Sequence, residues 1–170
     1  MIIINKKKKE LEESSLSRLN TQIEKHDCGM LSGFRGHFSL SENKSRNRKL
    51  WSMLGSEGYG VTTIAGSYIE NFLSKTNAKE VAEESFFVVD LKDTGRLKKD
   101  LKRLGEMFLQ ESIIYIEEKR GYLIGTTPYP DNKDAYPPYG ETKYQGFCYF
   151  GQSGEFFSRV NNRAFAFIDK

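Results

Sequence analysis

The sequence predicts an α+β fold with a ferredoxin-like split βαβ core. Two amphipathic segments alternate with segments rich in β-branched and aromatic residues, in the order strand, helix, strand, strand, helix, strand. The 170 residues are enough for one such domain. Twelve Phe and nine Tyr supply a core, although only 38% of the residues are hydrophobic. We therefore expect a mostly antiparallel sheet with two helices on one face.

The composition excludes several classes of protein. Two cysteines are too few for a disulfide scaffold or a four-cysteine zinc site. No apolar run approaches the roughly 20 residues of a membrane-spanning helix. The first isoleucines precede the run Lys6–Lys9, which is the reverse of the charge order of a secretory signal. These features favour a cytosolic or particle-associated protein.

Residues 1–27 are predicted to form an amphipathic arm, separate from a single domain at 28–170. The arm has no Gly, Pro or aromatic residue, and Leu16, Leu19 and Ile23 fall on one stripe of a helix. A helix this short is not stable alone in water. It must therefore dock on its own domain, on a second copy or on a partner.

The first half of the domain begins with a short strand at residues 30–38. Ser39 and Glu42 then match a capping box, which predicts a helix that reaches about Leu54. Two further strands follow, at residues 61–70 with a possible bulge at Gly66, and at residues 85–91.

The second half begins with another helix, whose leucines recur at helical spacing. Its apolar face consists of Leu97, Leu101, Leu104 and Phe108. A hairpin is predicted from 112–117 and 121–125 around a Lys-Arg turn. Extra C-terminal strands follow, with a hairpin of residues 146–150 and 155–160 and a last strand at 164–168.

The first helix carries two amides in line with two leucines, at positions Asn43, Asn47, Leu50 and Leu54. A buried amide without hydrogen bonds costs about 1–3 kcal/mol. We expect these amides either to hold neighbouring backbone, such as the strand around Arg35, or to line a cleft.

Basic residues on both helices raise the possibility of nucleic-acid binding. Two such helices could straddle a phosphate backbone, but charge runs are also typical of solvated helix surfaces. The residues concerned are Lys44, Arg46, Arg48, Lys98, Lys99 and Lys102. The run at 146–150 is a poor match to the aromatic motif of RNA-binding ferredoxin-like domains.

Carboxylates gather where one predicted strand ends and the next begins. If those strands pair, Glu70 could approach Glu83 or Glu84 and bind a divalent cation or act in acid–base catalysis. No metal-ligand, nucleophile or phosphate-loop motif accompanies them. A metal-assisted hydrolase around Glu70 and Glu84 is thus one alternative, and a solvated strand edge is the other.

Residues 127–145 are the most distinctive segment. They contain all four prolines and four tyrosines, namely Tyr129, Tyr136, Tyr139 and Tyr144. Tyrosines on an extended loop are typical of binding surfaces. The loop could equally pack over the sheet of its own domain.

Several motifs between about residues 30 and 168 are shared with a family of small proteins. The motifs are Phe34-Arg35-Gly36, Glu42-Asn43, Arg46-Asn47, Gly58-Tyr59-Gly60, Gly66-Ser67-Tyr68-Ile69-Glu70, Glu83-Glu84-Ser85-Phe86-Phe87-Val88, Gln110-Glu111-Ser112, Ile124-Gly125-Thr126-Thr127, Ser158-Arg159 and Arg163-Ala164-Phe165. On them the chain resembles uncharacterised proteins of bacteriophages and mobile elements, similar to a bacterial domain of unknown function. The resemblance implies a phage-encoded protein and the candidate binding residues Arg35, Asn43, Arg46, Asn47, Tyr68, Glu70, Glu84, Gln110 and Arg159.

Together these features predict a non-enzymatic phage accessory protein that acts through protein–protein contacts. It would be a minor virion component or would bind a host factor, in the host cytoplasm or in the virion. We expect no cofactor or metal. The arm offers a route to an oligomer. Nucleic-acid binding and metal-assisted hydrolysis are the alternative functions.

Overall fold

A computed structural model describes residues 17–70, 79–128, 137–150, 156–160 and 163–169. Within them the elements run α1 (17–25), β1 (Cys28–Leu31), α2 (Leu40–Ser56), β2 (Gly60–Glu70), β3 (Lys79–Val89), α3 (Leu97–Met107), β4 (Ser112–Glu117), β5 (Arg120–Gly125), β6 (Thr142–Phe150), β7 (Phe156–Val160) and β8 (Arg163–Ile168). Over these described ranges, no helix has the length and apolar character needed to cross a membrane.

The strands form a closed antiparallel barrel. Their order around it is β1-β3-β2-β7-β8-β6-β5-β4, and pairing of β4 with β1, with Met30 opposite Ile114, completes the ring. An interior enclosed by eight strands is just wide enough for side chains to fill.

The predicted order of the first six elements is confirmed, but the predicted ferredoxin-like fold is wrong. The strands expected as an added hairpin instead close the sheet. β6 pairs with β5 and β8, while β7 pairs with β2 and β8, so the predicted hairpin of 146–150 with 155–160 does not form. Sequence periodicity identifies strands but not their partners, and here the partners lie far apart in the chain.

Three neighbouring strands, β1, β3 and β4, are buried on both faces. Side chains that point outward pack against the leucines of α2 and α3, and the outward set is Leu31, Phe86, Val88, Ile113 and Tyr115. Side chains that point inward fill the barrel, and this set includes Cys28, Met30, Phe87, Val89 and Ile116. The alternation explains why these strands are continuously apolar.

Helix α1 packs with the inward-pointing set. Leu19 and Ile23 are buried among the interior side chains, so the described part of the arm docks on its own domain. Lys119 Nζ lies 2.7 Å from Glu24 Oε1, and His26 Nδ1 lies 2.8 Å from Asp93 Oδ1. These contacts tie the arm to the β4–β5 turn and to the segment before α3. Two helices against the outer face of the sheet, and a third that packs on the interior side chains through Leu19 and Ile23, therefore replace the predicted pair on one face. Leu16 lies outside the described residues.

Two glycines allow β8 to approach β5 and β6. A Cβ at Gly121 would lie 2.3 Å from the Phe167 ring, and one at Gly146 would lie 2.1 Å from the Ile168 backbone. Gly146 also has a φ of +109°, a conformation that side-chain-bearing residues rarely adopt. The barrel can close at this point because both positions lack a side chain.

We predict that Gly29→Ala destabilises the barrel by about 1–3 kcal/mol, because overpacking a filled core forces side chains and backbone to shift. The new Cβ would lie 2.2 Å from Leu101 Cδ1 and 2.8 Å from the Ile114 carbonyl oxygen. Urea unfolding measures the change.

Gly55→Ala is the matched control. Gly55 lies inside α2, and a Cβ added there would have nothing within 4 Å, so alanine is expected to stabilise the protein by about 0.5–1 kcal/mol. Equal effects of the two substitutions would contradict the packing of α3 on β1.

Candidate functional site

One end of the barrel gathers most of the polar residues predicted as a site. We call this end the mouth, and define it as residues 32–38 between β1 and α2, residues 83–85 of β3, and residues 110–112 before and in β4. The register brings these segments together, because Leu31 lies opposite Phe86 and Met30 lies opposite Ile114.

Asn43 holds the β1–α2 loop from the first turn of α2. Its Oδ1 accepts from the Arg35 backbone N–H at 2.9 Å, and its Nδ2 donates to the carbonyls of Arg35 at 3.0 Å and Phe38 at 3.3 Å. The capping box that starts α2 is confirmed, since Ser39 Oγ accepts from Glu42 N and Glu42 Oε2 accepts from Ser39 N. The cap therefore fixes where Asn43 enters the loop.

Asn47, one turn later, links the loop to β3. Its Oδ1 accepts from Gly33 N at 2.7 Å. Its Nδ2 donates to the main-chain oxygen and to Oε1 of Glu84, both at 3.1 Å. Ser32 Oγ also donates to the Glu84 main-chain oxygen, at 2.7 Å.

Arg46 supports the same loop from the side of α3. Its guanidinium donates to the carbonyls of Gly33 at 2.6 Å and Phe108 at 2.5 Å, and it lies over the Phe38 ring. Burial, together with the nearby positive charge of Arg35, lowers the pKa of Arg46. This arginine is a structural clamp.

Gln110 closes the third side of the mouth. Its Nε2 donates to the carbonyls of Phe34 at 3.1 Å and Phe108 at 3.2 Å. Its own carbonyl accepts from the hydroxyls of Thr126 and Thr127, at 2.6 and 3.1 Å. The structure thus brings together four of the predicted residues as a framework. All four side chains form hydrogen bonds with the backbone of the β1–α2 loop, and they are Asn43, Arg46, Asn47 and Gln110.

The charged groups at the mouth retain capacity to bind a ligand. The Arg35 guanidinium lies 3.8 Å from Glu111 Oε1, and its Nε is buried with no hydrogen-bond partner among the described residues. Burial raises the pKa of Glu83 to about 7, although the positive charge of Arg35 acts in the opposite direction. A carboxyl that titrates near neutral pH beside an arginine is typical of functional sites.

Glu83 and Glu84 project from opposite faces of β3. Phe87 points into the barrel, so alternation along the strand directs Glu83 inward and Glu84 towards α2. The bond from Asn47 to Glu84 Oε1 agrees with this assignment. The predicted site set included Glu84 but omitted Glu83, and the signal that identifies Glu83 is its even spacing from Ser85 and Phe87.

The predicted approach of Glu70 to Glu83 or Glu84 is wrong. Glu70 lies opposite Lys79, whereas Glu83 lies opposite Gly66 and Glu84 opposite Ala65. Four positions along a strand correspond to about 13 Å. Among the residues that the structure describes, no group of three or more His, Cys, Asp or Glu is arranged to hold a metal ion.

The remaining predicted site residues lie elsewhere on the barrel. Arg159 of β7 lies opposite Ala65, in the same row as Glu84. Tyr68 lies on β2 opposite Val81 and Phe156. The side chains of Tyr68 and Glu70, and the whole of Tyr129 and Tyr136, lie outside what the structure describes.

The described part of the tyrosine loop packs on its own domain. Tyr139 donates its hydroxyl to Glu106 Oε1 of α3 at 2.8 Å while half of its surface stays exposed. The Tyr144 ring lies 5.7 Å from the Tyr122 ring. These contacts favour the covering role, and a partner-binding role for the loop stays a prediction.

Apart from Arg46, the basic residues predicted on the two outer helices make no hydrogen bond to the mouth within the part of the chain that the structure describes. Lys44, Arg48, Lys98 and Lys99 are exposed, and Lys102 is half-buried. The Lys98 ammonium lies over the Tyr115 ring, 5.4 Å from its centre. These side chains cover the outer helical layer.

Comparison with known proteins decides the family. A sequence model of the S-adenosylmethionine lyase family matches residues 29–154, well over half of the chain. The chain belongs to the S-adenosylmethionine lyase family. No curated protein matches it. The matched region contains every residue of the mouth.

Membership in this lyase family corrects the predicted function. The prediction of a non-enzymatic accessory protein or virion component is wrong, because the family is one of enzymes. The alternative of a hydrolase around Glu70 and Glu84 does not fit the strand register, and nucleic-acid binding stays a prediction. The motifs contain Asn43, Arg46, Asn47 and Gln110, which the structure shows as a framework although they were predicted as a binding surface. The resemblance to a phage family stays a prediction.

We predict that Glu83 makes folding stability depend on pH. An acid whose pKa is higher in the folded state than in the unfolded chain favours folding at low pH, and this stabilisation is lost as the pH rises from about 4.5 through about 7. Between pH 5 and pH 8, the wild type should lose on the order of 1–3 kcal/mol more stability than Glu83→Gln.

Urea unfolding of both proteins across this pH range measures the difference. Other titrating groups, including the two histidines, are common to both proteins and cancel in the comparison. Parallel stability curves for wild type and variant would show that Glu83 titrates as it does in the unfolded chain.

Proposed function

We propose that this protein cleaves S-adenosylmethionine by lyase chemistry and that the mouth of the barrel is its active site. The family match over residues 29–154 carries this proposal. The mouth supports it because Arg35 and Glu83, two groups of opposite charge, lie close to each other there. A lyase breaks a bond in its substrate without adding water and without a redox partner.

The charges at the mouth complement those of the substrate. S-adenosylmethionine carries a carboxylate, an ammonium group and a positively charged sulfonium. Arg35 is the candidate partner of the carboxylate, since a guanidinium and a carboxylate form charge-assisted hydrogen bonds. Glu83, on the same side of the strand as the barrel interior, is the candidate partner of a cationic group.

The sulfonium makes carbon–sulfur cleavage possible at neutral pH. When a carbon–sulfur bond of the methionine side chain breaks, sulfur keeps the electron pair and leaves as a neutral thioether. The carbon then receives electrons by one of two balanced routes. Either the substrate's own carboxylate oxygen closes a ring on it, or a neighbouring C–H bond forms a double bond as Glu83 accepts its proton.

Glu83 has a different role in the two routes. As a base it must be deprotonated, so kcat falls as the pH drops below its pKa of about 7. In ring closure it attracts the cationic substrate, and its protonation raises KM instead. A carboxylate that binds the sulfonium equally in ground and transition states improves affinity but not the rate of the chemical step.

We predict that the purified protein consumes S-adenosylmethionine and releases the thioether in equal amounts, as measured by liquid chromatography. Glu83→Gln should lower kcat/KM by about 10²–10⁴-fold if the carboxyl moves the proton. Arg35→Ala should raise KM by about 10–100-fold, because a charge-assisted hydrogen bond is worth roughly 1.5–3 kcal/mol.

Tyr59→Phe is the control for both variants. It removes a hydrogen bond from Tyr59 to Asp100, at the end of β2 remote from Gly66 and hence from Glu83. This variant should keep wild-type kinetics at a reduced stability. A folded wild-type protein that leaves S-adenosylmethionine intact would refute the proposed function.

The predicted phage origin and the predicted protein partner concern the setting of this activity. Neither bears on the chemistry of the mouth, and both stay predictions. The outer position of α2 and α3 leaves their exposed faces available to a partner without obstructing Arg35 or Glu83.

A further inference from the structure

Two asparagines on one stripe of α2 stand directly behind the proposed active site. Asn43 and Asn47 are 6% and 2% exposed, and each makes three hydrogen bonds with the mouth. Within the described residues, neither amide forms a hydrogen bond with the Glu83 carboxyl or with the Arg35 guanidinium. Their influence on these groups is therefore exerted through the backbone.

The bonds of Asn43 are concentrated on one charged residue. Its side chain accepts from the N–H of Arg35 and donates to the carbonyl of the same residue. Holding both backbone groups of one residue fixes the direction in which its side chain leaves the chain. Among the described residues, the Asn43 side chain forms hydrogen bonds with the β1–α2 loop and none with β3.

The bonds of Asn47 join two different segments. One bond reaches Gly33 in the loop, and two reach Glu84 in β3, next to Glu83. A Cβ at Gly33 would lie 2.8 Å from Asn47 Oδ1, so this close approach requires glycine. Asn47 thus sets the position of β3 against the loop at the level of the two glutamates.

We infer that Asn43 and Asn47 are positioning residues for opposite halves of the active site, Asn43 for Arg35 and Asn47 for the Glu83–Glu84 pair. The inference rests on the proposed function for its kinetic meaning. A displacement of about 1 Å in an active site can cost about 10²-fold in rate. Loss of either amide should therefore affect a different step.

The two amides should also have opposite effects on the ionisation of Glu83. Among the described residues, the charged group that acts on Glu83 is Arg35 from the loop, which itself lies 3.8 Å from Glu111, while Glu84 projects from the opposite face of the strand. The neighbour of Glu83 on β2 is Gly66, which carries no charge. Without Asn43, Arg35 moves away and the pKa of Glu83 rises. Without Asn47, β3 separates from the loop and water enters. Because burial influences the pKa of Glu83 more than Arg35 does, the pKa falls although Arg35 is then farther away.

Carbon-detected NMR titration of glutamate-labelled full-length protein tests the inference without any substrate. The signal of Glu83 is assigned by its loss in Glu83→Gln. We expect Asn43→Ala to raise the pKa of Glu83 and Asn47→Ala to lower it, each by about half a pH unit or more. Tyr59→Phe should leave the pKa unchanged although it also removes a hydrogen bond.

Asn43→Asp and Asn47→Asp keep the test possible if the alanine variants fail to fold. Each aspartate retains the oxygen that accepts from the loop N–H and loses the amide donors. The carboxylate of Asn47→Asp also faces the Glu84 carboxylate, so β3 is repelled from α2. The expected kinetic consequences are those of the alanine variants.

Steady-state kinetics provides the second measurement. Asn43→Ala should raise KM about tenfold with little change in kcat, as a weaker form of Arg35→Ala. Asn47→Ala should lower kcat about tenfold or more with a smaller change in KM. Shifts of the Glu83 pKa in the same direction, or no shift in either variant, would overturn the inference.

The two proposals fail in different ways. If the wild type leaves S-adenosylmethionine intact while the Glu83 pKa moves in opposite directions, the function is refuted and the positioning arrangement stands. If the wild type is active but both variants change KM and kcat alike, the function stands and the division of labour between the amides is refuted.

Discussion

Closure of the sheet into a ring is the constraint on which the rest of the structure depends. Once β4 pairs with β1 and β8 pairs with β6, the sheet has an inside that water cannot fill. Because β1, β3 and β4 carry apolar side chains on both faces, each of the two faces must be covered by other apolar groups. The outer helices supply one cover, and α1 with the interior side chains supplies the other.

The ring also determines where ionisable chemistry can occur. At the mouth, burial disfavours the charged form of Glu83 and an arginine partly compensates. On β6, burial raises the pKa of the Cys148 thiol to about 12, so that thiol stays protonated and inert.

Local features of the fold could be read from the sequence, and long-range ones could not. The capping box of Ser39 and Glu42, the apolar face of α3 and the β4–β5 hairpin depend on residues near each other in the chain. The pairing of β7 with β2 depends on residues about ninety positions apart, which no periodicity records. Gly121 and Gly146 permit the closure, but in the sequence a glycine within a strand indicates only a less stable strand.

The site was predictable to a similar extent. Spacing on α2 correctly indicated that Asn43 and Asn47 face inward with two leucines. It did not reveal that the amides hydrogen-bond to the backbone or that Arg35 lies close to Glu83. Glu83 could have been found from its alternation with Ser85 and Phe87. Its raised pKa depends on burial by strands whose pairing is visible only in three dimensions.

The order of the strands has a consequence for how the chain acquires its structure during synthesis. β8 is the last strand along the described chain, and it joins β6 to β7. Until it emerges, β6 and β7 each present an unpaired edge of N–H and C=O groups, and such edges readily recruit other chains. The nascent protein is therefore prone to aggregation until β8 pairs, and slow translation at this stage would prolong that period.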